Sequence, residues 1–92
     1  MFDHPHHCNE ERMLAVQAAI LDPGNCFSMA TWGYCISGWA KQLFGSDEAL
    51  GLSDDVAESL FIDQPRATRQ QAAAAIDNVI ATGSPRWAEV MP

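Results

Sequence analysis

The residues with the richest chemistry lie between positions 25 and 45, where two Trp, one Tyr, two Phe and two Cys fall within 21 residues. Aromatic rings combine stacking area with polar tips, so Trp32, Tyr34 and Trp39 are candidates for a small-molecule pocket. Arg66 and Arg69 flank the predicted start of the last helix, where backbone N–H groups and the helix dipole favour an anion. If the fold brings these two regions together, a nucleotide-like ligand would sit between them. Core packing of the rings, with solvated arginines, is the favoured alternative.

Cys35 adds a thiol to this candidate ligand-binding site. It is predicted near the start of a helix, with Trp39 one turn further on, and a helix N-terminus lowers a thiol pKa. Papain-like and related amidase folds place their nucleophile in such a position, followed later in the chain by a His, but this chain has no His after His7. The sequence therefore favours a non-enzymatic protein over an enzyme, and no catalytic residue is predicted.

The other thiols show no metal or disulfide framework. The chain has three Cys, at 8, 26 and 35, without a C-x-x-C pair. Free buried thiols are the expected outcome, and a bridge between Cys26 and Cys35 stays open.

Four potential metal ligands crowd the N-terminus. Structural metal sites usually draw their ligands from two separated pairs, whereas these lie within five residues. We interpret the segment as a solvated arm that binds metal only adventitiously, and we predict no native metal and no cofactor. The four residues are His4, His6, His7 and Cys8.

The excess of acidic over basic residues is concentrated in one segment of the chain. The net charge is -7, from 12 acidic and 5 basic residues, and residues 42–65 contain no Lys or Arg. Such a segment repels a phosphate backbone, so direct nucleic-acid binding is disfavoured. A solvated face is the simpler interpretation, and a surface that meets a basic protein partner is the alternative. The acids concerned are Asp47, Glu48, Asp54, Asp55, Glu58 and Asp63.

Length and composition predict one small domain. The chain has 92 residues, 48% of them hydrophobic, with no apolar run long enough for a membrane span and no signal-peptide pattern at its start. We expect a cytoplasmic protein with a flexible arm over residues 1–8 and a single domain over residues 9–92. Because so small a core gives marginal stability, self-association through apolar helix faces is also expected.

Helix signals recur along the chain. Asn9 is a predicted N-cap for a helix over residues 10–21, with an apolar stripe on its core side. Thr31 is predicted to cap a second helix, which begins near Trp32 or Gly33 and ends at Gly45. Its predicted core face consists of Ile36, Trp39, Ala40 and Leu43. The stripe of the first helix consists of Met13, Val16 and Ile20, with Leu14, Ala18 and Leu21 beside them.

The second half continues the helical pattern. Ser46 begins a short turn and Ser53 caps a helix with acids in its first turn. Thr68 and Gln71 form a capping box for the last helix, which ends at Gly83, and Trp87 in the tail is expected to return to the core. Gly38, inside the second helix, indicates the close approach of a backbone or a ring. The prediction is an all-α fold, a four- to five-helix bundle or orthogonal cluster.

Three sequence patterns carry a resemblance. They are F-x-M-x-x-W ahead of C-I-x-G-W-A, then L-G-L-S-D-D-x-A-x-x-L-F, then T-x-x-Q-A-A with a late Trp. Across residues 27–87 the chain resembles a loosely defined group of small, functionally uncharacterised bacterial and phage proteins. The resemblance implies a prokaryotic or phage origin and no particular activity. Many members carry C-G-T just before the second Cys, where this chain has Trp32, Gly33 and Tyr34, which argues against a thiol-centred function.

Together these features predict a non-enzymatic interaction or accessory protein, such as an inhibitor or adaptor. The alternative is a protein that binds or sequesters a nucleotide-like ligand, and a Cys35-dependent enzyme is the least favoured interpretation.

Overall fold

The computed structural model describes residues 8–31 and 33–91, and this part of the chain is all-α. No strand occurs in these ranges, so the predicted fold class is confirmed. The helices are α1 (Glu10–Leu21), α2 (Ile36–Phe44), a 3-10 helix (Asp47–Leu50), α3 (Asp54–Ile62), α4 (Arg69–Thr82) and α5 (Trp87–Val90).

Most helix ends are set by local capping, as the sequence predicts. The Asn9 side chain accepts a hydrogen bond from the backbone N–H of Arg12, and Ser53 caps α3 in the same way. Both halves of the Thr68–Gln71 capping box form at the start of α4. These bonds satisfy N–H groups that have no partner inside the helix.

The core lies where α1 meets its neighbours. Met13, Val16 and Ile20 of α1 are fully buried, and α1 packs against α4, α2 and the 3-10 helix. Small alanines on α4 let α1 approach closely, and Trp87 covers the core from the tail. The elements that follow α1 also contribute buried residues to the core, mainly Ile36, Ala40, Leu50, Leu60, Ala72, Ala75, Ile76, Val79 and Trp87.

Helices α1 and α4 run antiparallel. The Gln17 side-chain amide donates to the Ala73 carbonyl at 2.9 Å and to the Asp77 carboxylate at 2.8 Å. Further along α1, the carbonyl of Asp22 accepts from Arg69, at the beginning of α4. Positions therefore increase along α1 while their partners decrease along α4.

The predicted start of α2 is wrong by several residues. The helix begins at Ile36 with Cys35 as its N-cap, instead of at Trp32 or Gly33 after a Thr31 cap. Residues 28–31 and 33–34 form tight turns, in which Ser28 N–H donates to the Tyr34 carbonyl at 3.1 Å. The chain is thus folded back on itself where a helix was expected.

The predicted close approach at Gly38 is confirmed. A Cβ at this position would overlap the backbone of Gly33, which has a positive φ of 98°. Because Gly33 lies in the turn before α2 and Gly38 in the first turns of the helix, the two glycines let the backbone fold directly onto the helix.

Parts of the predicted apolar faces do not reach the core. Leu14, Ala18 and Leu21 on α1 are exposed, and so is Leu43 near the end of α2. The α1 positions fail because they lie on a different side of the helix from Met13, Val16 and Ile20, a side that no helix of the described ranges covers. Leu43 fails because it lies in the last turn of α2.

The tail returns to the core, as expected, and adds the short helix α5. Trp87 is buried, and its indole N–H donates to the Ser59 carbonyl of α3 at 2.7 Å.

Among the described residues, no helix combines the length and the apolar character that crossing a bilayer requires.

Candidate functional site

Two of the candidate ligand-binding side chains meet on one loop, formed by residues 22–31. The indole N–H of Trp39 donates to the Cys26 carbonyl at 2.9 Å. The guanidinium of Arg69 donates to the carbonyls of Asp22, at 2.8 Å, and Asn25, at 3.0 Å. The structure therefore places the polar ends of both residues on the backbone of the loop, where they hold it between α2 and α4.

Cys35 is also used internally. Its side chain is 5% exposed, and its sulfur accepts a hydrogen bond from the Gly38 N–H at 3.4 Å. The thiol thus acts as the N-cap of α2 and presents little surface to a ligand.

The remaining candidates are exposed or undescribed. Tyr34 is 47% exposed, and Arg66 is exposed beside the start of α4. Trp32 lies outside the described residues, so the full set of aromatic rings is not assembled by what the structure describes.

The predicted metal-binding arm falls largely outside the described residues. His4, His6 and His7 are not described, and in the described part of the chain no group of three or more His, Cys, Asp or Glu is arranged to hold a metal ion. Cys8 is half-buried and packs against the core. Burial raises the pKa of its thiol, and the charge of Glu10 raises it further.

A groove of about 380 Å³ joins the loop to the start of α4. Arg66 and Thr68 face Phe27 and Met29 across it. This is the nearest arrangement to the predicted meeting of aromatic and basic residues, although Phe27 supplies the ring instead of Trp39. The groove is wide open, so a small ligand in it would stay largely in water, whereas small-molecule sites usually bury most of the ligand.

A second open groove lies between α4 and α5. It has a volume of about 420 Å³, and its lining includes Gln71, Asn78 and Glu89 together with apolar surface. Its shape, like that of the first groove, does not enclose a small molecule.

An exposed apolar surface on α1 was missed by the sequence reasoning. Leu14, Ala18 and Leu21 occupy positions i, i+4 and i+7, so they lie on one face of the helix, and we call them the α1 stripe. Leu14 is 43% exposed and Leu21 is 41% exposed. A signal was present: at 100° per residue these three positions form their own row, well separated from Met13, Val16 and Ile20.

Acidic side chains border the α1 stripe. Glu10 and Glu11 precede Leu14, and Asp22 follows Leu21; all three acids are exposed. Asp77 of α4 lies alongside, because it accepts from Gln17, one turn from both leucines.

The basic side chain of α1 points away from this border. The Arg12 guanidinium donates to the Ala49 carbonyl at 3.0 Å and lies over the Phe44 ring, 5.6 Å from its centroid. Arg12 thereby ties α1 to the end of α2 and the 3-10 helix, on the side away from the α1 stripe. The α1 stripe thus combines two half-exposed leucines with a negatively charged rim.

A comparison of the chain with models of protein families, with curated proteins and with solved structures found no match. The resemblance to small bacterial and phage proteins therefore stays a prediction from sequence patterns.

Proposed function

We propose that this protein is a non-enzymatic interaction module that docks on another protein through the α1 stripe. The observation that carries the proposal is the exposure of Leu14 and Leu21 on one face of a helix whose opposite face is fully buried. A row of large apolar side chains on a helix, rimmed by polar residues, is typical of a helix-mediated protein contact.

The alternative small-ligand function has less support. The N–H groups of Trp39 and Arg69 already donate hydrogen bonds to the loop backbone, and the Cys35 sulfur caps α2. A ligand would have to displace these internal hydrogen bonds before it gained its own. A partner protein needs no such rearrangement, because the α1 stripe is already at the surface.

The expected contact energy is modest. Fully burying a Leu side chain is worth about 1.5–3 kcal/mol, so covering two side chains that are already more than half buried contributes roughly 1 kcal/mol each. The apolar contact therefore needs help from the surrounding charges, and it fits a reversible adaptor or inhibitor better than a permanent assembly.

Site-specific crosslinking tests the proposal. A photoreactive residue placed at Ala18, at the centre of the α1 stripe, is expected to capture a partner in cells of the source organism, with its identity read by mass spectrometry. The same residue at Gln42, exposed on α2, is the positional control.

The supporting result is a specific dependence on the two leucines. Capture at position 18 should fall at least tenfold in the Leu14→Ser/Leu21→Ser variant and stay unchanged in Leu43→Ser, which alters a Leu that is 44% exposed on another helix. Capture that is equal at positions 18 and 42, or insensitive to the α1 leucines, contradicts the proposal. Far-UV circular dichroism of each variant verifies that the fold is intact.

A further inference from the structure

We infer that the α1 stripe binds a basic amphipathic helix of the partner, an inference that rests on the proposed function. Two properties of the surface lead to this partner: the shape of the α1 stripe and the sign of the charge around it.

The shape fits a helix. Leu14 and Leu21 are seven residues apart, so the α1 stripe spans about 10 Å, close to two helical turns. The small Ala18 lies between the two larger leucines and leaves a hollow in the row. One large apolar side chain of a partner helix fits into such a hollow, with its neighbours at i±3 and i±4 beside the leucines.

The charge selects a basic partner. Glu11 lies on the same face as Leu14 and Ala18, at i−3 and i−7 from them, and Asp22 stands at the other end of the row. Asp77 borders the α1 stripe from α4, where one of its oxygens is engaged by Gln17. Lys or Arg side chains on either flank of a partner helix would reach these carboxylates while its apolar face covers the leucines.

Two arginines lie near this rim, and most of its negative charge stays uncompensated. Arg12 is held on the other side of α1 by Ala49 and Phe44. Arg69 donates to the backbone carbonyls of Asp22 and Asn25, so its charge offsets that of Asp22, and the negative charge of the rim is carried by Glu10, Glu11 and Asp77.

The same charges disfavour a second copy of this chain as the occupant. A two-fold symmetric pair brings the same surface patch of each copy together, so both acidic rims would face each other. Each copy also carries a net charge of -7. Like charges opposed across an interface cost energy, and a basic helix avoids that cost.

Designed peptides test the inference directly. The probe is an 18-residue amphipathic helical peptide of Leu and Lys, measured by titration calorimetry against the full chain. Two controls separate charge from shape: a Leu/Glu peptide with the same apolar pattern, and a Leu/Lys peptide of the same composition with its leucines scattered. We expect the first peptide to bind at least tenfold more tightly than either control, and more weakly as salt is raised.

Variants of the chain locate the binding site. Leu14→Ser/Leu21→Ser should weaken binding of the Leu/Lys peptide at least tenfold, whereas Leu43→Ser should leave it within twofold. Glu11→Gln/Asp77→Asn keeps the leucines and should weaken binding several-fold at low salt only. Equal binding of the Leu/Glu peptide, or an equal loss in Leu43→Ser, overturns the inference.

The crosslinking experiment separates this inference from the proposed function. If position 18 captures a partner through an acidic or extended segment, the inference fails and the proposed function stands. If it captures a second copy of this chain, a homodimer replaces the partner and the inference fails. If no capture depends on Leu14 and Leu21, both fail.

Discussion

At the residue scale, Trp39 and Arg69 show how large side chains fix a loop that has no regular structure. Together they donate to the carbonyls of Asp22, Asn25 and Cys26, which lie within five residues of one another. Loop carbonyls that lack a partner in regular secondary structure need one from a side chain or from water. The two residues supply it from helices on opposite sides of the loop.

This contact predicts a large difference between two neighbouring arginines. Arg69→Met removes two charge-assisted hydrogen bonds and is expected to lower the free energy of unfolding by about 2 kcal/mol. Arg66→Met is the matched control, because Arg66 is exposed and no carboxylate pairs with it in the described part of the chain; its effect should stay within about 0.5 kcal/mol. Urea unfolding followed by circular dichroism measures both, and equal losses would contradict the role given to Arg69.

The three thiols are expected to differ in reactivity. Cys26 is exposed and should be alkylated first at pH 8. Cys8 should react more slowly, because burial and the charge of Glu10 raise the pKa of its thiol and so reduce the thiolate fraction at that pH. Cys35 should react last, since it is buried.

Mass spectrometry of a timed iodoacetamide reaction gives this order of thiol reactivity. In denaturant the differences should largely disappear, which serves as the control. If Cys35 reacted faster than Cys26 in the native protein, its thiol would be activated, and this result would support the hypothesis of a Cys35-dependent enzyme.

At the scale of the helices, the sequence predicts what is decided locally. The caps at Asn9, Ser53 and Thr68 and the stop at Gly83 depend on residues within one turn, and all are found where expected. The start of α2 was missed because the residues before it form turns through their own backbone bonds, such as that from Ser28 N–H to the Tyr34 carbonyl, and Cys35 supplies the cap in place of Thr31. No periodicity within residues 26–35 reports such a contact.

The same distinction applies to the candidate site. Sequence reasoning singled out Trp39 as a ring with a polar tip and Arg69 as a cation at the start of the last helix. Both do approach one loop, but spacing alone cannot say that their N–H groups are used on its backbone. It also assigned Leu14 and Leu21 to the core, because the broad apolar stripe of α1 does not reveal how many helices pack around it. Which side stays uncovered is decided by where α4, α2 and the 3-10 helix pack around α1.

The capping box of α4 gives a prediction at this scale. Thr68→Ala removes the hydroxyl that accepts from the Gln71 N–H and should lower the free energy of unfolding by about 1 kcal/mol. Thr68→Ser keeps the hydroxyl and should recover most of the loss. Thermal unfolding compares the three proteins, and a Ser variant as unstable as the Ala variant would show that the methyl group, and not the cap, is responsible.

At the scale of the whole molecule, the excess of acid sets the response to salt. The net charge is -7. The side chains of the Arg86–Glu89 ion pair are 49% and 62% exposed, so screening this pair loses little stability. Screening the repulsion among the acids gains more. Raising NaCl from about 20 mM to about 300 mM should therefore increase the free energy of unfolding, by on the order of 1 kcal/mol.

A charge-reduced variant supplies the control for the salt response. Glu58→Gln/Asp63→Asn changes two exposed acids of the α3 region. It should be more stable than the parent at low salt and respond less to added NaCl. If salt destabilises the parent protein, favourable ion pairs outweigh the repulsion and the argument fails.

The contact between Gly33 and Gly38 also fixes the length of the chain between them. The backbone at Gly33 rests on the helix at Gly38, and the residues that separate the two glycines contain the Cys35 cap of α2. An insertion or deletion in that short stretch would carry one glycine away from the other and set a side chain against backbone. The spacing from Gly33 to Gly38 is therefore a fixed length in this fold, in the same way as the identity of the two glycines.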